Sequence, residues 1–116
     1  MIYAYGITQQ GTWHIKKNIV CQDAHSIIKC ADNMAVAAVA DGLGSEIYSD
    51  TASKIAAELS VQYVSSRITP ESGDEEILQA VHESFTLAQN TIEKTAEENG
   101  HPADQYDTTL SLAVLL

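Results

Sequence analysis

The chain has 116 residues, 45% of them apolar, which is room for one domain with a real core and no more. Sixteen acidic residues against six Lys and Arg give a formal charge of −10, which argues against a basic surface tracking a nucleic-acid backbone and suits either cations or solvated acidic faces. Two cysteines, Cys21 and Cys30, are too few for a disulfide framework or a zinc ribbon, so a reduced, cytoplasmic protein is expected.

In chain order, the first segment, MIYAYGIT, is rich in Ile and Tyr and stops at QQGT, as a strand followed by a turn does. It has neither the positive n-region of a signal peptide nor an apolar run long enough for an anchor, so no membrane association is expected. A polar connector, WHIKKNIVCQDA, comes next. HSIIKC and MAVAAVAD are short strand-like runs separated by ADN, whose Asp and Asn tolerate a tight turn, and residues 25–41 are expected to form an antiparallel hairpin.

Beyond residue 45 the apolar period changes from two to about 3.6. Ala52, Ile55, Ala56, Leu59 and Tyr63 recur at three- and four-residue steps, which predicts a helix over about 46–67, closed by Pro70. Ser72 and Glu75 offer a capping box ahead of Ile77, Val81, Phe85, Ala88, Ile92 and Ala96; a second helix over 74–98 then stops at Asn99-Gly100. Both helices are expected on one face of the sheet. The final DTTLSLAVLL alternates Thr109, Ser111 and Ala113 with Leu110, Leu112 and Val114 before two further leucines, and reads as a largely buried strand over 108–116. So apolar a strand needs neighbours on its edges, so residues 1–116 are expected to be the N-terminal portion of a larger domain.

The chemistry concentrates in AVADGLGS, residues 38–45. Asp41 ends an apolar run and opens a glycine-rich turn. Taken alone, Asp-Gly is a common turn dipeptide; the other reading is a carboxylate held at the mouth of a sheet, its backbone fixed by the strand end. Gly42 lacks a Cβ, so its carbonyl can come close to an ion. Mg²⁺ and Mn²⁺ favour such hard oxygen donors. Asp23 reads as a turn or cap acid, and Asp50 and Asp107 as caps of a helix turn and a strand entry. His25, His82 and His101 show no ligand spacing.

Taken in order, NIVCQDAHSIIKC, MAVAAVADGLGSEIYSDTASKIAAE and DTTLSLAVLL resemble the N-terminal half of the type 2C metal-dependent protein phosphatases, whose blocks run N-x(n)-[EQ]-D, then V-A-D-G-x-G-G or -S, then G-T-T and an apolar strand. The resemblance covers essentially the whole chain and about the first half of a family catalytic domain. It implies an α+β fold, a four-layer sandwich of two antiparallel β-sheets flanked by helices, to which this chain gives a strand, a hairpin, two helices and a strand. It also implies hydrolysis of phosphoserine and phosphothreonine in protein substrates by a water activated between two Mg²⁺ or Mn²⁺ ions. Carried over by residue, Asp41 becomes the ligand that bridges both metals, Gly42 a carbonyl ligand, and Asp23 a metal-site acid acting directly or through water. Gln22 stands where many members have glutamate, and a neutral amide is the weaker ligand. Many members also place a phosphate-holding arginine near the first block; here His14, Lys16 and Lys17 are the only basic cluster, readable as solvated loop charges or as an electrostatic substitute.

The family's other metal aspartates belong to second-half motifs that this sequence does not reach. Two carboxylates and one carbonyl cannot fill two octahedral shells, so the chain alone is expected to be a poor phosphatase or none. Two other readings stay open: a catalytically inactive phosphatase-like binding or regulatory module, and a small acidic interaction protein. Self-association through the terminal strand, or pairing with the rest of the domain, is expected of the isolated chain.

Overall fold

The computed structural model describes residues 21–116. The expected first strand, Trp13 and the basic cluster His14, Lys16 and Lys17 lie outside the described residues. β1 (Asp23–Ala31) and β2 (Met34–Asp41) form the hairpin around the two-residue turn Asp32-Asn33, beginning two residues earlier than the pattern suggested. Their antiparallel register is continuous from Asp23 opposite Asp41 to Lys29 opposite Ala35; it then shifts to Ala31 opposite Met34, leaving Cys30 as the extra residue of a bulge. β3 (Ser111–Leu115) pairs antiparallel with the other edge of β2, so the sheet order is β1-β2-β3.

Side chains alternate across β2. Met34, Val36, Ala38 and Ala40 are buried, and they join one core with the helices. Ala35, Ala37, Val39 and Asp41 therefore project from the other face, where Ala35 is buried, Ala37 half-buried and Val39 59% exposed.

α1 (Ser49–Arg67) lies on the inner face over β1 and β2, and α2 (Asp74–Glu98) packs against α1 while Ile77, Ala80, Val81 and Ile92 reach the same core. The buried face of α1 is not the expected stripe. Ser49, Ala52, Ser53, Ala56, Ala57, Ser60, Val61 and Val64 are buried, while Ile55, Leu59 and Tyr63 are half-buried. Small residues win that face because α1 is covered from two sides and must approach both closely. The serines are tolerated there because each satisfies its hydroxyl locally, Ser53 donating to the Asp50 carbonyl at 3.0 Å and Ser60 to that of Ala57 at 3.2 Å.

At the start of α2 the expected capping box does not form. Gly73 occupies the N-cap, and the Ser72 hydroxyl instead accepts the Thr69 N–H at 2.8 Å, closing the loop before the helix. Asp74, Glu75 and Glu76 fill the first turn, where the helix dipole favours negative charge. The other end stops as expected. Gly100 has φ +69°, His101 N–H donates to the Ala96 carbonyl at 2.9 Å and Gly100 N–H to that of Glu97 at 3.0 Å, a Schellman closure.

The terminal strand is shorter and less buried than its composition suggested. Leu112 and Val114 turn toward the core, but Ser111, Ala113 and Leu115 are exposed. Among the described residues β3 pairs only with β2, which leaves its second edge without a strand beside it. Among the described residues no helix is long and apolar enough to cross a membrane.

Candidate functional site

The hairpin register brings Asp23 and Asp41 directly opposite one another at its open end, both exposed. The next rung, on which Gly42 N–H donates to the Gln22 carbonyl at 3.0 Å, is the hydrogen-bonded one. The Asp23–Asp41 rung is thus of the non-hydrogen-bonded kind, in which Cα atoms lie only about 4.5 Å apart and side chains share one face. By parity that face is the outer one, away from the helices. Two carboxylates on one rung offer hard-oxygen donors to a cation placed between them.

Asp41 is held from its other side by Thr109. Thr109 N–H donates to the Asp41 carbonyl at 2.9 Å, and the Thr109 hydroxyl accepts the Asp41 N–H at 3.1 Å. Both backbone groups of Asp41 are therefore committed toward the entry of β3, and its side chain is free to project from the sheet end. Sequence reasoning took the two threonines as part of an apolar strand and missed this clamp; their place in the third block was the signal available.

Gly42 is buried where the end of β2 passes under the start of α1. A Cβ there would lie 2.6 Å from the Ser49 carbonyl oxygen and 2.8 Å from that of Gln22, closer than real Cβ atoms come. Backbone packing thus requires glycine at this position, whether or not its carbonyl also meets an ion. Gln22 is 3% exposed and donates from Nε2 to the Glu46 carbonyl at 3.0 Å; its Oε1 has no hydrogen-bond partner among the described residues. It serves as a strut between β1 and the loop after Gly42.

That loop is tied to the segment preceding β3. Leu43 N–H donates to the Asp107 carbonyl at 3.2 Å and Tyr48 N–H to that of Gln105 at 3.1 Å, and the Asp107 N–H donates to the Glu46 carboxylate at 2.6 Å. Burial, with the Asp107 and Asp104 charges, pushes the Glu46 carboxyl above the usual carboxylate range despite that hydrogen bond. Asp107 is thus a backbone anchor of the loop. Asp50 sits in the first turn of α1, where no side-chain cap bond forms. His101 stacks on Tyr48 with ring centroids 3.9 Å apart, and its Nδ1 lies 2.6 Å from the Tyr106 hydroxyl, a packing role.

Among the described residues no group of three His, Cys, Asp or Glu side chains comes together as a metal cage. The candidate donors are two exposed carboxylates and the Gly42 backbone, a hard-oxygen set suited to Mg²⁺ or Mn²⁺ but short of two full shells.

A small α+β unit, with a three-stranded antiparallel sheet backed by two helices and two acids paired at its open end, is the class so defined. Residues 10–116 match the family model described as Protein phosphatase 2C, and the chain belongs to that phosphatase family. Comparison with curated proteins and with solved structures gave no match.

Proposed function

We propose that this chain is the N-terminal part of a catalytic domain that hydrolyses phosphoserine and phosphothreonine in cytoplasmic proteins, with two Mg²⁺ or Mn²⁺ ions bound when the domain is complete. The observation that carries this reading is the register of Asp23 with Asp41. Asp41 would bridge the ions, Asp23 would act as a metal-site acid directly or through water, and the Gly42 carbonyl would add a further oxygen. Ions so held would supply a hydroxide-like water near neutral pH and neutralise charge on the phosphoryl oxygens. The chain's own contribution is positional: Thr109 and the Gln22 strut fix the backbone on both sides of Asp41, so that little reorganisation is needed when the site is loaded.

The outer sheet face supports the remainder of the four-layer sandwich. Val39, Leu115 and Leu116 are 59%, 53% and 58% exposed, an apolar surface of the sort a second sheet covers. A catalytically inactive module is the second reading; the observation on its side is Gln22, buried and donating to the Glu46 carbonyl, where many members carry a glutamate.

The test uses the polypeptide that carries the complete domain. Phosphate release from a phosphothreonine peptide should require Mg²⁺ or Mn²⁺, and Asp41→Asn should slow it by about a hundredfold or more. Metal-dependent release that is unchanged by Asp41→Asn would remove Asp41 from the site, and a folded, complete protein with no release at all would favour the inactive module.

A further inference from the structure

On the helix side of the sheet, α2 and the segment leading into β3 border a groove of about 450 Å³. Its buried lining is Ala56, Ala88 and Tyr106, with the larger apolar side chains Phe85 and Ile92 of α2 and Leu110 beside them. The spacing of Phe85, Ala88 and Ile92 at three and four residues puts all three on one helix face, and the small Ala88 leaves the depression between the larger two. Phe85 is 39% exposed, an aromatic surface left to water.

The rim carries Glu93, Asp104 and Asp107, all exposed, and none of the described lining residues is Lys, Arg or His. An apolar floor that gains by excluding water, beneath three carboxylates with no cation among the described lining residues, selects an apolar occupant that carries positive charge beside it. We infer that this groove docks a cationic segment of a partner protein, an aromatic or large aliphatic side chain flanked by Arg or Lys. The aromatic side chain fills the space over Ala88 between Phe85 and Ile92, and the flanking guanidinium or ammonium groups meet the rim acids. A second copy of this chain is the wrong occupant on charge, since each copy carries −10. A small cation alone would leave the apolar floor unused. The inference stands on this surface and is independent of the phosphatase reading.

A fluorescein-labelled, amidated peptide Leu-Arg-Phe-Arg-Leu, titrated with the 116-residue chain and mapped by amide chemical shifts on the labelled chain, tests it. Saturable binding is expected, with shifts concentrated at Phe85–Glu93 and Ala103–Leu110. Phe85→Ser should weaken binding by about tenfold, and Glu93→Gln or Asp104→Asn by about threefold each, with steep weakening from 50 to 300 mM salt. Glu93 is exposed and its change to Gln is isosteric, so it reads binding even if Phe85→Ser disturbs the fold. Equal binding of the same peptide with citrulline for Arg, shifts centred elsewhere, or no saturation at millimolar peptide would overturn the inference. Argininamide binding as tightly as the peptide would replace the partner segment by a small cation. Shifts at these residues on concentrating the chain without peptide would replace it by a second copy.

Discussion

Asp23 and Asp41 lie on the same rung of a hairpin and on the face of the sheet turned away from both helices. Nothing in the helical core needs them there, because the inward positions on either side, Ala24 and Ala40, do the packing. A pair of adjacent carboxylates at a strand end is a hard-oxygen arrangement suited to holding a divalent cation. The same end of the sheet is tied down by Thr109, Gln22 and Glu46, so the acids sit on a fixed base.

The closest of these restraints is at Gly42. Gly42→Ala should destabilise the chain by about 1–3 kcal/mol, because the added methyl meets two backbone carbonyls that cannot rotate away. Urea unfolding followed by circular dichroism measures it. An unchanged midpoint would mean that β2 and α1 can separate at no cost.

Thr109 gives a second, graded test. Thr109→Val removes the acceptor of the Asp41 N–H and should cost about 1 kcal/mol, whereas Thr109→Ser keeps the hydroxyl and should recover most of the loss. The same denaturation experiment applies; no loss in Thr109→Val would remove this hydrogen bond from the account, and a loss in Thr109→Ser as large as in Thr109→Val would mean that the methyl group contributes as much as the hydroxyl.

Much of this was legible from the residues. The period-two runs on either side of ADN, the shift to a 3.6-residue period after the glycines, and Asn99-Gly100 place the hairpin, both helices and the stop of α2. Ser72 misled because a serine hydroxyl can close a preceding turn as well as a helix start, and the bond to Thr69 decides between them only in three dimensions. On α1, large apolar residues marked the stripe, but the tightly packed face is the small one, and close approach on two sides is a tertiary demand. The Asp23–Asp41 pair was within reach once the turn was known, since register fixes it. The roles of Thr109 and Glu46, which depend on contacts across more than 60 residues of chain, were not.

The pH dependence separates two carboxyls of opposite behaviour. The Tyr63 hydroxyl donates to Glu83 and, with Gln79, holds Glu83 below the usual carboxylate range. A lowered folded-state value gives stability that is present above the unfolded pKa and lost as pH falls through the folded one. Glu46 is raised, so its contribution is present below the unfolded pKa and lost as pH rises through the folded value. Carboxyl carbon shifts followed against pH should show Glu83 titrating below the usual glutamate range and moving up in Tyr63→Phe, with Glu46 above that range and unaffected. A Glu83 titration that ignores Tyr63→Phe would contradict the assigned cause.

Among the described residues the second edge of β3 has no strand beside it, which predicts self-association of the 116-residue chain. Sedimentation at rising concentration should show dimers or larger species, and Leu115→Lys, which charges that edge, should reduce them. A monomer at every concentration, with wild-type and variant alike, would mean that the edge is covered within the chain.

The central claim is that the paired acids form a divalent-cation locus, and the most direct measurement is a Mn²⁺ titration of the isotope-labelled chain read by paramagnetic line broadening. Even weak binding broadens the nearest amides first. The account predicts early broadening at Asp23, Asp41 and Gly42, lost in Asp41→Asn and displaced by Mg²⁺. Broadening that is centred instead on the Glu93, Asp104 and Asp107 rim, or that is unchanged by Asp41→Asn, would contradict it.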